Sequence, residues 1–188
     1  MKNDLKTAVV LLNLGGPDSL DAVEPFLFNL FNDPEIINFP FSFLFRKKLA
    51  KIISVKRAPK IQQQYEKIGG KSPILDITSK QAALLENSLQ KKINAKVFIA
   101  MRYWKPFTEE TVIEVNKFSP DIIVLLPLYP QFSTATTGSS VKEWNRLIKS
   151  QNILTNVPVK VIENYHLNDL YIDSFIERIY TALKKISC

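Results

Sequence analysis

Four short apolar runs, each closed by a loop and separated by helix-patterned stretches, constrain this chain more than any other feature. They are "TAVVLLNL" (residues 7–14), "AKVFIAM" (95–101), "DIIVLLP" (121–127) and "VPVKVIE" (157–163). They are rich in β-branched and aliphatic residues and lack strict alternation. That pattern predicts strands buried on both faces, as in a parallel sheet. Helical patterns lie between them. "TSKQAALLENSLQKK" carries Thr78 and Gln81 at capping-box spacing, and "SSVKEWNRLIKS" carries Ser140 and Glu143 likewise. "TEETVIEVNKF" follows the second run. "LNDLYIDSFIERIYTALKKI" has Leu170, Ile172, Phe175, Ile176, Ile179 and Leu183 at helical spacing. Gly15, Gly16 and Pro17 end the first run, and Asp18 is expected to cap a helix with Asp21 in its first turn. Strand–helix alternation predicts an α/β fold: an open, mostly parallel sheet flanked by helices. No internal repeat or low-complexity segment interrupts it.

In such sheets ligands bind beyond the carboxyl ends of the strands. Three loops are expected on that edge: "NLGGPD", "RYWKPF" and "LYPQFSTATTGSS". The last is dense in hydroxyls, and its final residues open a helix whose free N–H groups favour an anion.

The sequence has 188 residues, a net charge of +7 and 46% hydrophobic residues, which fits one globular domain with a basic surface. Such a surface fits an anionic partner, although solubility alone also accounts for it. The single cysteine, Cys188, permits no intrachain disulfide or thiolate cluster. No apolar run approaches the ~18 residues of a membrane span. The start, "MKNDLKTAVVLLNLGGPD", has an acid before its apolar run, Asn13 within it and no small-residue cleavage site. It reads as a first strand in a cytoplasmic protein.

Residues 26–60 are unusual. Seven of the twelve phenylalanines fall here (Phe26, Phe28, Phe31, Phe39, Phe41, Phe43, Phe45), followed by Arg46, Lys47, Lys48, Lys51, Lys56, Arg57 and Lys60. The combination fits a lip that touches a membrane surface or admits a flat apolar ligand. A packed helix pair with a solvated basic face fits the same residues.

Several chemistries are excluded. There is no dinucleotide-binding GxGxxG, no Walker A sequence and no HExxH. The only histidine, His166, sits at a strand–helix junction, where a capping or surface role is the ordinary one. No nucleic-acid-binding signature accompanies the basic residues, so no nucleic-acid partner is expected.

Four motifs, "LLNLGGPDSLDAVEPFLFNLFNDPEII", "KRAPKIQQQYEKIGGKSPI", "RYWKPFTEE" and "LYPQFSTATTGSS", stand in an order that resembles the N-terminal half of a ferrochelatase. The resemblance runs from about Val9 to the end. It implies one lobe, residues 1–188, of a protein built from two similar Rossmann-like or flavodoxin-like α/β lobes around a porphyrin cleft, with residues 26–60 as the lip. It implies insertion of Fe²⁺ into protoporphyrin IX to form haem, with no organic or redox cofactor. No cysteine stands in "FSTATT", so no iron–sulfur cluster is implied. Leu14 matches the position against the macrocycle face. Arg57, Lys60, Tyr65 and Ser72 match positions around the porphyrin and its propionates. Tyr129 matches a pocket wall, and Arg102 and Tyr103 match a pair opposite the metal-binding histidine. Taken singly, Arg57 and Lys60 also read as solvated charges, Tyr65 as packing under the Gly69–Gly70 turn and Ser72 as a cap before Pro73.

In the family, that histidine and its partner glutamate lie in segments beyond the residues matched here. No catalytic residue and no metal ligand are therefore assigned within residues 1–188, and this stretch alone is expected to be inactive. The implied partners are protoporphyrin IX or haem, a C-terminal lobe, and a membrane touched through residues 26–60. A porphyrin-holding half without catalysis and the remnant of a disrupted gene are the alternatives.

Overall fold

The computed structural model describes residues 3–37 and 42–186. Phe39, Phe41 and Cys188 lie outside the described residues. The chain forms β1 (Asn3–Asn13), α1 (Val23–Phe31), α2 (Ser42–Glu66), α3 (Ile74–Gln90), β2 (Ile93–Met101), α4 (Thr108–Phe118), β3 (Ile122–Pro127), α5 (Ser139–Gln151), β4 (Val159–Val161) and α6 (Asp169–Ile186). All strand pairings are parallel, in the order β2-β1-β3-β4. The open parallel sheet read from the apolar runs is thus the observed one. The order places a topological switch between β1 and β3, where open α/β sheets leave a crevice at their carboxyl edge.

β1 is central because its residues can be buried on both sides. Ala8, Val10 and Leu12 face a core with Phe98, Ile123 and Leu125, sealed by Val112 and Val115 of α4 and Trp144 and Leu147 of α5. Val9 and Leu11 face the other way, towards Ala82 of α3. Pairing is in register: Val10 stands opposite Phe98 on one side and Leu125 on the other. Each large apolar side chain buried here contributes about 1.5–3 kcal/mol. The Val97 N–H is held by the Glu86 carboxylate at 2.6 Å, which blunts one open donor of the sheet's edge strand.

The helices form where expected, but three of the expected caps do not. The helix after the first loop begins at Val23, not at Asp18, and it is the Ser19 hydroxyl that accepts the Ala22 N–H, at 3.2 Å. α3 begins at Ile74. Thr78 therefore lies inside it, where its hydroxyl accepts a 3.1 Å bond from the Asn13 amide instead of capping. A π-helical turn, Thr134–Gly138, runs directly into α5. The N–H groups of Gly138 and Ser139 are spent on Ser133, Thr134 and Thr136 carbonyls, so the expected anion site at a free helix start is not formed there. Ser140 caps nothing, and Glu143 pairs with Arg146 at 2.8 Å.

The Phe-rich, basic segment is largely one long helix, α2, laid against α1. Ala50, Ser54 and Ala58, four residues apart, are buried along α2. These small side chains leave room for α1, and Ala58 packs in one cluster with Val23, Phe26 and Leu27. Phe45, Ile52 and Val55 remain exposed among the lysines. α6 buries none of its residues, and Ile172, Phe175, Ile176 and Ile179 are all exposed.

Two outcomes follow from this packing. Gly15 has φ +86, and a methyl group there would meet the Trp104 backbone nitrogen at 3.0 Å. Gly15→Ala should destabilise the fold by about 1–3 kcal/mol, read as a lower urea midpoint. The exposed α6 stripe should drive concentration-dependent association in sedimentation velocity, and Phe175→Gln with Ile179→Gln should abolish it.

Candidate functional site

Parallel pairing brings three loop starts to one edge. Arg102 N–H donates to the Asn13 carbonyl at 2.9 Å, Tyr103 N–H to Leu14 at 3.0 Å, and Leu128 N–H to Leu12 at 2.8 Å. A fourth segment joins them, because Ser72 N–H donates to the Pro17 carbonyl at 2.8 Å. Gly16 permits that approach: a Cβ there would stand 2.4 Å from the Ser72 hydroxyl. The Ser72 hydroxyl also accepts the Ile74 N–H at 3.3 Å, so it does cap the turn.

Asp33, just past α1, closes the edge from the side. It is 3% exposed. Its Oδ1 accepts the Glu35 N–H at 2.8 Å, the ordinary turn geometry of an Asx residue. Its Oδ2 accepts three donors from two other segments. They are the Tyr103 hydroxyl at 2.7 Å, Arg102 Nη2 at 2.8 Å and the Ser139 hydroxyl. Arg102 Nε in turn donates to Ser139 Oγ at 2.7 Å. Burial alone would raise the Asp33 pKa. The donors from Ser139, Glu35 and Tyr103, with the Arg102 charge, outweigh it and hold the carboxyl below the usual range. Burial pushes the Tyr103 and Tyr129 hydroxyls well above their ordinary value, so both are neutral donors at physiological pH.

On one side of Tyr103 lies an apolar wall of Leu14, Ile36, Ile61, Tyr65 and Trp104. The partners of the Tyr103 hydroxyl, Asp33 and Ser139, border a polar cleft of about 450 Å³ together with Asn29, Arg46, Arg102 and Lys142. Of the residues named from sequence, Leu14, Tyr65 and Tyr103 share the apolar cluster, Arg102 lies over the Tyr103 ring, and Ser72 sits against Gly16 and Pro17. Tyr129 lies within electrostatic reach of Arg102 and Tyr103, and its hydroxyl is buried with no partner among the described residues. Arg57 and Lys60 flank buried Ala58 on α2 and are exposed; the Arg57 guanidinium stacks over Phe31 at 5.4 Å. His166 stands apart, its N–H donating to the Pro130 carbonyl at 3.1 Å. Sequence reasoning missed Asp33 and Ser139. Asp33 carries only the signal of a turn residue before Pro34, and Ser139 is one of six hydroxyl residues in its loop.

An open four-stranded parallel sheet flanked by helices, with an apolar aromatic wall and the anchored Arg102 at its carboxyl edge, defines the chain as an open α/β lobe. The family model described as ferrochelatase matches residues 6–187. A ferrochelatase of Wolbachia sp. subsp. Drosophila simulans (strain wRi) is 49% identical over 97% of this chain and 58% of its own length. Ferrochelatase-1, chloroplastic/mitochondrial, of Arabidopsis thaliana is 46% identical over 97% of this chain and 40% of its own. A ferrochelatase of Pelagibacter ubique (strain HTCC1062) is 44% identical over 97% and 53%. This chain belongs to the ferrochelatase family, and it spans about half the length of the curated relatives it matches.

The buried carboxylate sets a pH dependence. Its folded-state pKa lies below the ordinary value of 3.8, so its contribution is present above that value and is lost as pH falls through the depressed one. Thermal melts from pH 7 downward should show stability falling below about pH 4. Asp33→Asn should flatten that part of the profile and lower stability at pH 7 by about 3 kcal/mol.

Proposed function

We propose that this chain forms the porphyrin-holding wall of a ferrochelatase, which inserts Fe²⁺ into protoporphyrin IX to make haem. The observation that carries the reading is one apolar cluster that gathers Leu14, Tyr65 and Tyr103, with Arg57 over its Phe31 ring and Arg102 over its Tyr103 ring. A porphyrin is a flat apolar disc with two carboxylates. Leu14 and Tyr65 would lie against its face, and Arg57, Lys60 and Ser72 would meet the propionates. Tyr129 would give its buried hydroxyl a partner on the ligand, and Arg102 and Tyr103 would bound the far side.

Metal insertion needs the ring bent so that its pyrrole lone pairs meet the incoming iron, with contacts at the ring edge offsetting the strain. The residues here would grip that edge. Among the described residues no group of three or more His, Cys, Asp or Glu could hold a metal ion. The reading is a division of labour: residues 1–188 would hold the porphyrin, and metal handling would fall to the family's histidine and glutamate in a C-terminal lobe. The exposed face of α6 and the apolar groove beside it, lined by Ile77, Leu126, Leu128, Ile162 and Phe175, would take that lobe.

No helix among the described residues is long and apolar enough to cross a membrane. Exposed Phe45, Ile52 and Val55 beside Lys48 and Lys56 instead suit peripheral contact of a cytoplasmic protein with an anionic membrane surface.

Protoporphyrin IX should quench the fluorescence of Trp104, in the apolar wall, more than that of Trp144, which is buried in the sheet core. Trp104→Phe should remove most of the quenching. Arg57→Gln with Lys60→Gln should weaken binding about tenfold. With Zn²⁺ present, the 188-residue chain should show no chelatase turnover. Turnover near that of a two-lobed relative would refute the division of labour; no porphyrin binding, even with a C-terminal lobe added, would refute the function.

A further inference from the structure

We propose that Asp33 is a positioning residue: it fixes Arg102 and Tyr103 as one rigid unit that backs the apolar wall of Leu14 and Tyr65. This rests on the reading of the apolar wall that Tyr103 shares with Leu14 and Tyr65 as the porphyrin site.

The argument begins with the freedom an arginine has. A solvated guanidinium on four rotatable bonds samples many orientations and defines no wall. Arg102 is held at two points. Nη2 is on Asp33 at 2.8 Å and Nε on Ser139 at 2.7 Å, while Ser139 itself donates to Asp33. The three groups close a triangle, and the guanidinium plane also rests over the Tyr103 ring at 5.1 Å. Two anchored nitrogens fix a planar fork. Nη1, which makes no hydrogen bond among the described residues, is left with two N–H donors beside the 450 Å³ cleft. The Tyr103 hydroxyl is anchored on the same oxygen, Oδ2, so its ring cannot turn away from Leu14 and Tyr65.

Asp33 is the one member that all the others need. Arg102 and Tyr103 follow β2, Ser139 opens α5, and Asp33 follows α1; the network joins them through one carboxylate. Asparagine at this position keeps the shape but loses the charge, and its amide can accept fewer of these donors. Neither Asp33 nor Ser139 needs to touch the ligand for this to matter. Their effect reaches it through Arg102 and Tyr103.

The test compares the full chain with Asp33→Asn, and with Val115→Ala as a control. Val115 lies in the sheet core away from the crevice, and temperature is adjusted so that both variants have the same margin below their melting points. Asp33→Asn should weaken protoporphyrin IX binding about tenfold and shift the Soret band of the bound porphyrin. It should also remove the slowly exchanging Nε–H resonance of Arg102 from the nitrogen-15 spectrum. Val115→Ala should change none of these. Wild-type affinity, Soret position and Arg102 resonance in Asp33→Asn would overturn the inference.

If the unsubstituted chain does not bind protoporphyrin, the proposed function falls. The Arg102 resonance then still decides this inference: its loss in Asp33→Asn supports it and its persistence overturns it. If Asp33→Asn does not fold, Asp33→Glu carries the test, since it keeps the charge and moves the carboxylate off Arg102 Nη2 and the Tyr103 hydroxyl. It should broaden the Arg102 resonance, and an unchanged resonance would overturn the inference.

Discussion

Parallel pairing around β1 is the constraint on which the rest depends. A strand flanked by parallel neighbours sends all three carboxyl ends to one edge, so the loops at Leu14, Arg102 and Tyr129 meet there without being close in sequence. Sequence separations of about ninety residues are bridged by backbone hydrogen bonds between loop starts, such as Tyr103 to Leu14. Burial of residues 8–12 on both faces makes that arrangement costly to slip. A shift of one residue would exchange the side chains facing α4 and α5 for those facing α3.

The edge would still be a set of separate loops without the α1–α2 layer. α1 lies close to α2 because Ala50, Ser54 and Ala58 are small, and Asn29 of α1 donates to the Tyr103 carbonyl at 3.1 Å. Asp33 then enters the network from the end of α1. A buried ionised carboxylate costs several kcal/mol in desolvation and persists only where donors surround it. Here the donors come from the loop after β2, from α5 and from its own turn, so one buried charge joins three segments.

The strands were legible because their apolar runs are unambiguous. "AVVLL" can be buried on both faces only inside a sheet, and Leu125 and Val10 pair as two such runs would. The helix bodies were legible for the same reason. Their starts were not, because capping patterns compete with tertiary demands. Thr78 has the spacing of a cap, but its hydroxyl is worth more as acceptor for Asn13 in a site that excludes water. Ser140 failed as a cap because the π-helical turn had already satisfied the backbone before it. The apolar wall was legible in part: Leu14, Tyr65 and Tyr103 stand in recognisable motifs, and they do meet. Asp33 and Ser139 were not, since a turn aspartate and a loop serine gain meaning only from what the fold brings beside them.

For the proposed chemistry, stiffness matters more than the number of contacts. A macrocycle bent by its site pushes back on the walls, and a wall that yields returns the ring to planarity. Leu14 alone offers no resistance beyond packing. It is backed by Tyr103, whose hydroxyl is tied to Asp33, and by a loop in which Gly15 and Gly16 leave no slack against Trp104 and Ser72. Interactions between neutral groups in that wall are each worth about 1 kcal/mol and would deform one by one. Ion-paired and buried on the Asp33 side, the Asp33–Arg102 contact resists more steeply, because pulling the arginine away strands the carboxylate out of reach of water. The wall therefore gives way as a unit or not at all, which is the mechanical property a site that strains its substrate requires.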